Sequence, residues 1–116
     1  MAAYNVMQER FSIIYNLYVK KVERKQHTKD EVNQILQWLT GYDLDQIVNH
    51  INSNSTLEDF LSQMPGLNPN SNKITGSICN VKIEEITDPL TKRMRYMDKL
   101  IDEIAKGKAI DKILRK

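Results

Sequence analysis

The sequence predicts a mainly α fold, a compact orthogonal bundle of about five to six helices, with room for one short extended segment near residues 78–84. Three observations predict it. Between residues 28 and 64 one phrase is written three times: a short polar residue, an acidic or amide residue three positions on, and apolar residues at i, i+3, i+4 and i+7. Long apolar stripes at helical spacing precede and follow those phrases. The links between stripes are short and sharp, which favours crossed helices over a long parallel bundle.

The elements follow in order. A first helix is expected over Val6 to Lys25, with Phe11, Ile14, Tyr15, Tyr18 and Val22 on one face and Ile13 and Leu17 widening it. Lys20, Lys21, Arg24 and Lys25 near its end complement the negative pole of the helix. A second helix starts after Thr28, with Glu31 as the reciprocal partner, and buries Val32, Ile35, Leu36 and Leu39. Gly41 suits the left-handed residue that closes it, and Tyr42 can pack back on the last turn. A third helix follows at once from Asp43 and Gln46, with Leu44, Ile47, Val48 and Ile51 as its stripe. The polar turn 52–55 leads to a fourth, short helix capped by Ser55 and Glu58, carrying Leu57, Phe60, Leu61 and Met64 and stopping at Pro65-Gly66.

Residues 65–77 are the least regular, although Pro69 can open a short helix running towards Ile74. Residues 78–86 read two ways: Cys79, Val81 and Ile83 alternate like a strand, while Ile78, Val81 and Ile86 fit a turn of helix. With no second strand-like run to pair with, the segment is expected to be a buried turn of helix or an extended connector. Thr87-Asp88-Pro89 caps a long helix with Leu90, Met94, Met97, Leu100, Ile101 and Ile104 on its stripe, ended by Gly107. Ile110, Ile113 and Leu114 then imply a last short helix docked on the body.

At 116 residues the chain is expected to form one domain, residues 1–116, burying roughly two-thirds of its unfolded surface. An apolar fraction of 41% and a charged fraction of 28% are ordinary for a globular protein. Cys79 is the single cysteine, which excludes an intramolecular disulfide and fits a reducing, cytoplasmic home. No signal-peptide pattern is present, and no apolar run approaches the ~20 residues that span a bilayer, so no membrane partner is expected.

The net charge of +2 hides a segregation. Residues 1–29 carry six Lys/Arg against two Glu, residues 30–72 carry six acids and no Lys or Arg, and residues 73–116 carry eleven Lys/Arg against seven acids. Such blocks either satisfy one another on folding or present a basic face to an acidic partner.

No constellation specifies a reaction. His27, His50 and Cys79 have no ligand-pair spacing, so no metal is expected, and the four glycines are scattered, so neither a phosphate cradle nor a cofactor is expected. His50 reads as a surface histidine or one complementing the helix pole. Cys79 reads as inert core, with a Cys79–His50 nucleophile pair as the alternative. The second helix, the Gly41 corner and the third helix outline a helix-turn-helix, but Asp45, Gln46 and Asn49 on the third would oppose phosphate docking. A better basic surface combines Lys92, Arg93, Arg95, Lys106, Lys108, Lys112, Arg115 and Lys116.

Several phrases resemble a bacterial family. They include Tyr18-Val19 with Lys21, Trp38-Leu39-Thr40-Gly41-Tyr42, Leu67-Asn68-Pro69-Asn70, Ile74-Thr75-Gly76, Asp88-Pro89-Leu90, Arg95-Tyr96, Asp98-Lys99-Leu100-Ile101-Asp102-Glu103 and Lys112-Ile113-Leu114-Arg115-Lys116. In order along nearly the whole chain, they are similar to domain-of-unknown-function family 2200. The resemblance implies a small, helical, single-domain bacterial protein. It carries no activity and no site residues across.

Three functional expectations result. The first is a protein-interaction module without catalysis, partnered by another protein or a second copy, using the exposed part of the first helix stripe. The alternative is a nucleic-acid-associated protein using the basic C-terminal surface. The third is an enzyme or small-ligand binder near residues 68–79, which convergence of Asn70, Thr75, Arg95 and Tyr96 in one pocket would favour.

Overall fold

The computed structural model describes residues 6–78 and 80–115. It is a mainly α bundle. Among the described residues the helices are α1 (Phe11–Glu23), α2 (Lys29–Thr40), α3 (Leu44–Asn52), α4 (Leu57–Ser62), α5 (Pro89–Ala105) and α6 (Ile110–Ile113). Short 3-10 turns cover Val6–Gln8, Pro69–Lys73 and Ile83–Glu85. The longest helix, α5, packs against α1, α2, α4 and α6, so its Met97, Leu100, Ile101 and Ile104 lie at the centre of the core.

The first helix begins later than its periodicity suggests, and the cause is long-range. Arg10 is extended and bridges Thr56 antiparallel. Phe11 N–H donates to Ser55 O at 2.9 Å and Leu57 N–H to Glu9 O at 2.8 Å. Pairing with the approach to α4 thus breaks the 6–25 run into a 3-10 turn and α1. At the other end Gln26 adopts φ 66°, and the bonds His27 N–H to Val22 O and Gln26 N–H to Glu23 O close a Schellman motif. Ile13 and Leu17 do not widen the buried face; both point outward, 44% and 56% exposed.

The capping boxes form as expected at α2 and α3. Thr28 and Glu31 exchange bonds of 3.3 and 3.0 Å, and Asp43 and Gln46 bonds of 2.8 and 2.9 Å. At α4 the box is shifted by one residue: Thr56 and Asp59, not Ser55 and Glu58, exchange bonds of 3.1 and 3.0 Å. Ser55 is occupied elsewhere, its Oγ bonding His50 Nδ1 at 2.8 Å and Ser53 Oγ at 2.9 Å. His50 is accordingly buried, not a surface residue, with its ring edge-on to Tyr42 and Phe60. Burial lowers its pKa, with Asp59 opposing weakly. α3 therefore turns Ile47 and His50 inward, and Leu44 and Val48 stay 44% and 41% exposed.

Gly41 closes α2 at φ 79°. The returning segment lies directly on it: Gly66 N–H donates to Thr40 O, Asn68 N–H to Leu39 O, and Asn68 Nδ2 to Trp38 O, at 3.1, 2.9 and 3.1 Å. These bonds satisfy carbonyls that a helix end leaves unpaired. Tyr42 is buried and its hydroxyl donates to Phe60 O at 2.7 Å; burial pushes its pKa up to about 12.

Pro69 opens a 3-10 turn, with Asn68 Oδ1 accepting from Asn70 N–H at 2.8 Å. The expectation that residues 78–86 lack a pairing partner is corrected. Strands β1 (Ser77–Ile78) and β2 (Val81–Lys82) pair antiparallel, so the partner lies inside the same run, reached through Asn80 at φ 65°. α5 has the expected Asp88 cap and Pro89 at its first position. Ile113 of α6 is fully buried, so the tail does dock.

Two of the left-handed corners, at Gly41 and Gln26, make opposite predictions for urea unfolding. A Cβ at Gly41 would lie 3.0 Å from Gly66 O and 3.1 Å from Gly66 N. Gly41→Ala should therefore cost about 2 kcal/mol or more. Gln26→Gly relieves a left-handed non-glycine residue and should raise stability by about 0.5–1 kcal/mol.

Candidate functional site

α5 collects the charges of its neighbours. Tyr18 Oη donates to Asp98 Oδ1 at 2.5 Å, and Arg95 Nη1 lies 3.3 Å from Asp98 Oδ2. Lys21 of α1 and Lys106 sit 3.2 and 3.0 Å from the two oxygens of Asp102. Glu103 is buried and receives a two-pronged grip from Arg115, Nη1 to Oε1 at 2.6 Å and Nη2 to Oε2 at 2.9 Å, with Lys108 at 3.5 Å. Burial opposes charge on Glu103, yet the Arg115 bonds and charge, aided by Lys108, hold its carboxyl below the usual range. Asp102 behaves alike: burial raises its pKa, and Lys106 and Lys21 outweigh it.

The basic C-terminal residues are thereby distributed. Arg95, Lys106, Lys108 and Arg115 each face a carboxylate of α5. Arg93 donates to Leu61 O at 2.9 Å. Lys112 is exposed on α6, and Lys116 lies outside the described residues. Lys92, Arg95 and Lys106 line three different grooves. The last of these, about 730 Å³, gathers Lys21, Arg24, Lys25 and Lys106 around Asp102.

Asn70, Thr75, Arg95 and Tyr96, whose convergence would favour a small-ligand site, do not meet in one pocket. Asn70 Nδ2 donates to Arg115 O at 3.1 Å, Thr75 is exposed, and Arg95 and Tyr96 line separate grooves. Asn70 thus helps hold the C-terminal tail. Cys79 lies outside the described residues, so its pairing with the buried His50 does too. Among the described residues no group of three or more His, Cys, Asp or Glu could hold a metal. No described helix is long and apolar enough to cross a membrane.

Among the described residues, four of the five exposed large apolar side chains lie on two neighbouring helices, the fifth being Val81 of β2. On α1, Ile13, Leu17, Lys20 and Arg24 recur at i, i+4, i+7 and i+11, so one outward stripe is apolar in its first half and cationic in its second. Beside it a groove of about 290 Å³ is walled by Val6, Ile14, Leu17, Leu57 and Met94, with Tyr18, Arg95 and Asp98 at its polar edge. On α3, Leu44 and Val48 lie one turn apart, flanked by Asp43 and Asp45. α1 and α3 pack against each other. Sequence periodicity placed all four in apolar helix stripes and expected an exposed part only for the stripe of the first helix. The missed signal was that both helices carry more apolar positions than one contact stripe can use.

Residues 5–115 match a family described as an uncharacterized protein conserved in bacteria, DUF2200. The chain belongs to DUF2200. The crystal structure of uncharacterized protein SP1917 is 38% identical and superposes with a TM-score of 0.91, over 97% of this chain and 94% of that one. No curated protein matches this DUF2200 chain.

The Glu103–Arg115 grip has a pH signature. A carboxyl with a lowered folded pKa contributes stability that is present above the ordinary range near about 4.3 and is lost as pH falls through the folded value. Glu103→Gln should therefore flatten the loss of thermal stability between neutral and acid pH. Arg115→Ala, which strands a buried carboxylate, should cost about 2 kcal/mol at neutral pH. Both are read from thermal melts across pH.

Proposed function

We propose that this protein is a cytoplasmic protein-interaction module without catalysis, and that its α1 stripe receives the α3 stripe of a second copy. The observation that carries the reading is the paired exposure of large apolar residues: Ile13 and Leu17 beside cations on α1, Leu44 and Val48 beside acids on α3. The two stripes are complementary in charge and alike in apolar content. Because they belong to helices in mutual contact, a two-fold arrangement sets each α1 on the partner's α3, burying both stripes at once. The segregation of charge along the chain supports this reading, since the basic first segment and acidic middle segment supply the two halves. The single cysteine fits the reducing compartment.

Sedimentation velocity over a concentration series at low salt tests it. Dimer should form with concentration and weaken as salt rises, because part of the attraction is between exposed charges. Leu17→Glu, which removes an apolar contact and adds a repelling carboxylate, should weaken dimerisation about tenfold or more. Val48→Lys should do the same from the other side. A protein that stays monomeric to millimolar concentration refutes pairing between copies.

A further inference from the structure

A second site lies elsewhere on α5 and does not rest on the pairing just described. Pro89, Lys92, Arg93 and Tyr96 recur at i, i+3, i+4 and i+7 and form one strip of that helix. With Leu67, Ile86 and Thr87 they enclose a cleft of about 230 Å³. Tyr96 is only 5% exposed, and its hydroxyl forms no hydrogen bond with any described residue. No described side-chain polar atom that is fully shut from solvent lacks a partner. The hydroxyl therefore keeps some contact with solvent, and Tyr96 is one of the residues that line the cleft. A buried tyrosine normally finds a partner for its O–H. Here the side chain is buried, lines the cleft and has an O–H that no described residue bonds.

The walls define the ligand. Leu67, Ile86 and Pro89 are apolar, whereas Lys92, Arg93, Thr87 and Tyr96 all bring N–H or O–H donors. The bond from Arg93 to Leu61 O uses one of five guanidinium donors. Asp88 stands beside the cleft, held charged by the side-chain and backbone bonds it accepts from Thr91, and Glu85 lies just before Ile86 in sequence. Two lining cations against a neighbouring carboxylate favour a single negative charge over a dianion. The volume, below the usual range for drug-sized ligands of about 300 Å³ upward, favours a small molecule. We propose that this cleft binds a small monocarboxylate with a short branched apolar body, its carboxylate on Lys92, Arg93 and the Tyr96 hydroxyl and its chain against Leu67, Ile86 and Pro89.

The test is a titration of the full chain with isovalerate, followed by amide NMR shifts. Saturable shifts confined to residues 67, 86–89 and 92–96 are expected. Inorganic phosphate and isopentanol, which keep only the charge or only the apolar body, should bind at least about tenfold more weakly. Tyr96→Phe removes a hydroxyl with no internal partner, so the fold is kept, and affinity should fall about tenfold; Lys92→Gln should weaken it similarly. Absence of saturable shifts overturns the proposal. So does equal binding by Tyr96→Phe, or phosphate binding as tightly as isovalerate.

Discussion

The fold hangs on the close approach of two backbones at the end of α2. Gly41 turns left-handed, and the Gly66 backbone O and N lie 3.0 and 3.1 Å from where a β-carbon would stand. That contact lets residues 66–68 donate three hydrogen bonds to the carbonyls of Trp38, Leu39 and Thr40. The last turn of the helix is thus capped by chain from beyond α4. The consequence spreads both ways. Thr40 Oγ1 donates to Leu36 O at 2.6 Å and accepts from Tyr42 N–H at 3.2 Å, which sets the corner into α3. Tyr42 then reaches Phe60, and Phe60 stacks on Phe11 with ring centroids 3.8 Å apart. One steric allowance links α1, α2, α3 and α4 before any long-range ion pair is counted.

Much of this was legible in the sequence because it is local. A capping box spans four residues, and a left-handed closure needs only a glycine at the end of a stripe. Hence Thr28–Glu31, Asp43–Gln46, Gly41, Pro69 and Asp88-Pro89 all act as their spacing suggests. Two of the misreadings, the start of α1 and the cap of α4, share one physical reason, a pairing between segments far apart in the chain. The α4 cap moved to Thr56 because Ser55 bonds His50 and pairs with the strand-like stretch before α1. The same pairing cut short the first helix. The 77–82 hairpin was missed because its strands are two residues long, below the length at which alternation becomes informative.

The site residues were harder to read than the fold, for a related reason. Periodicity reports how many apolar residues a helix face carries, not how many its neighbours can cover. Leu17, Leu44 and Val48 all fit a stripe and all remain at the surface. Charge had the reverse problem. Arg95, Lys106, Lys108 and Arg115 look like a basic patch in one dimension, but Asp98, Asp102 and Glu103 come within reach of them in three. The Glu103–Arg115 pair is separated by a helix end, a glycine turn and α6, so no local spacing announces it.

α5 shows how one helix serves unrelated tasks. At 3.6 residues per turn, its seventeen residues divide into strips facing different neighbours. Met94, Met97, Ile101 and Ile104 face the core. Arg95, Asp98 and Asp102 face α1, where Tyr18 and Lys21 bond the two carboxylates. Pro89, Lys92 and Tyr96 face the cleft below Leu67 and Ile86. The first strip anchors the helix in the core, and the other two are presented from that anchored element. A surface that needs little ordering on contact loses less affinity to that ordering. Because the cleft and the α1 stripe use different strips, a change at Tyr96 leaves Leu17 and its neighbours in place. The proposed ligand binding and the proposed pairing between copies should then respond to different single substitutions.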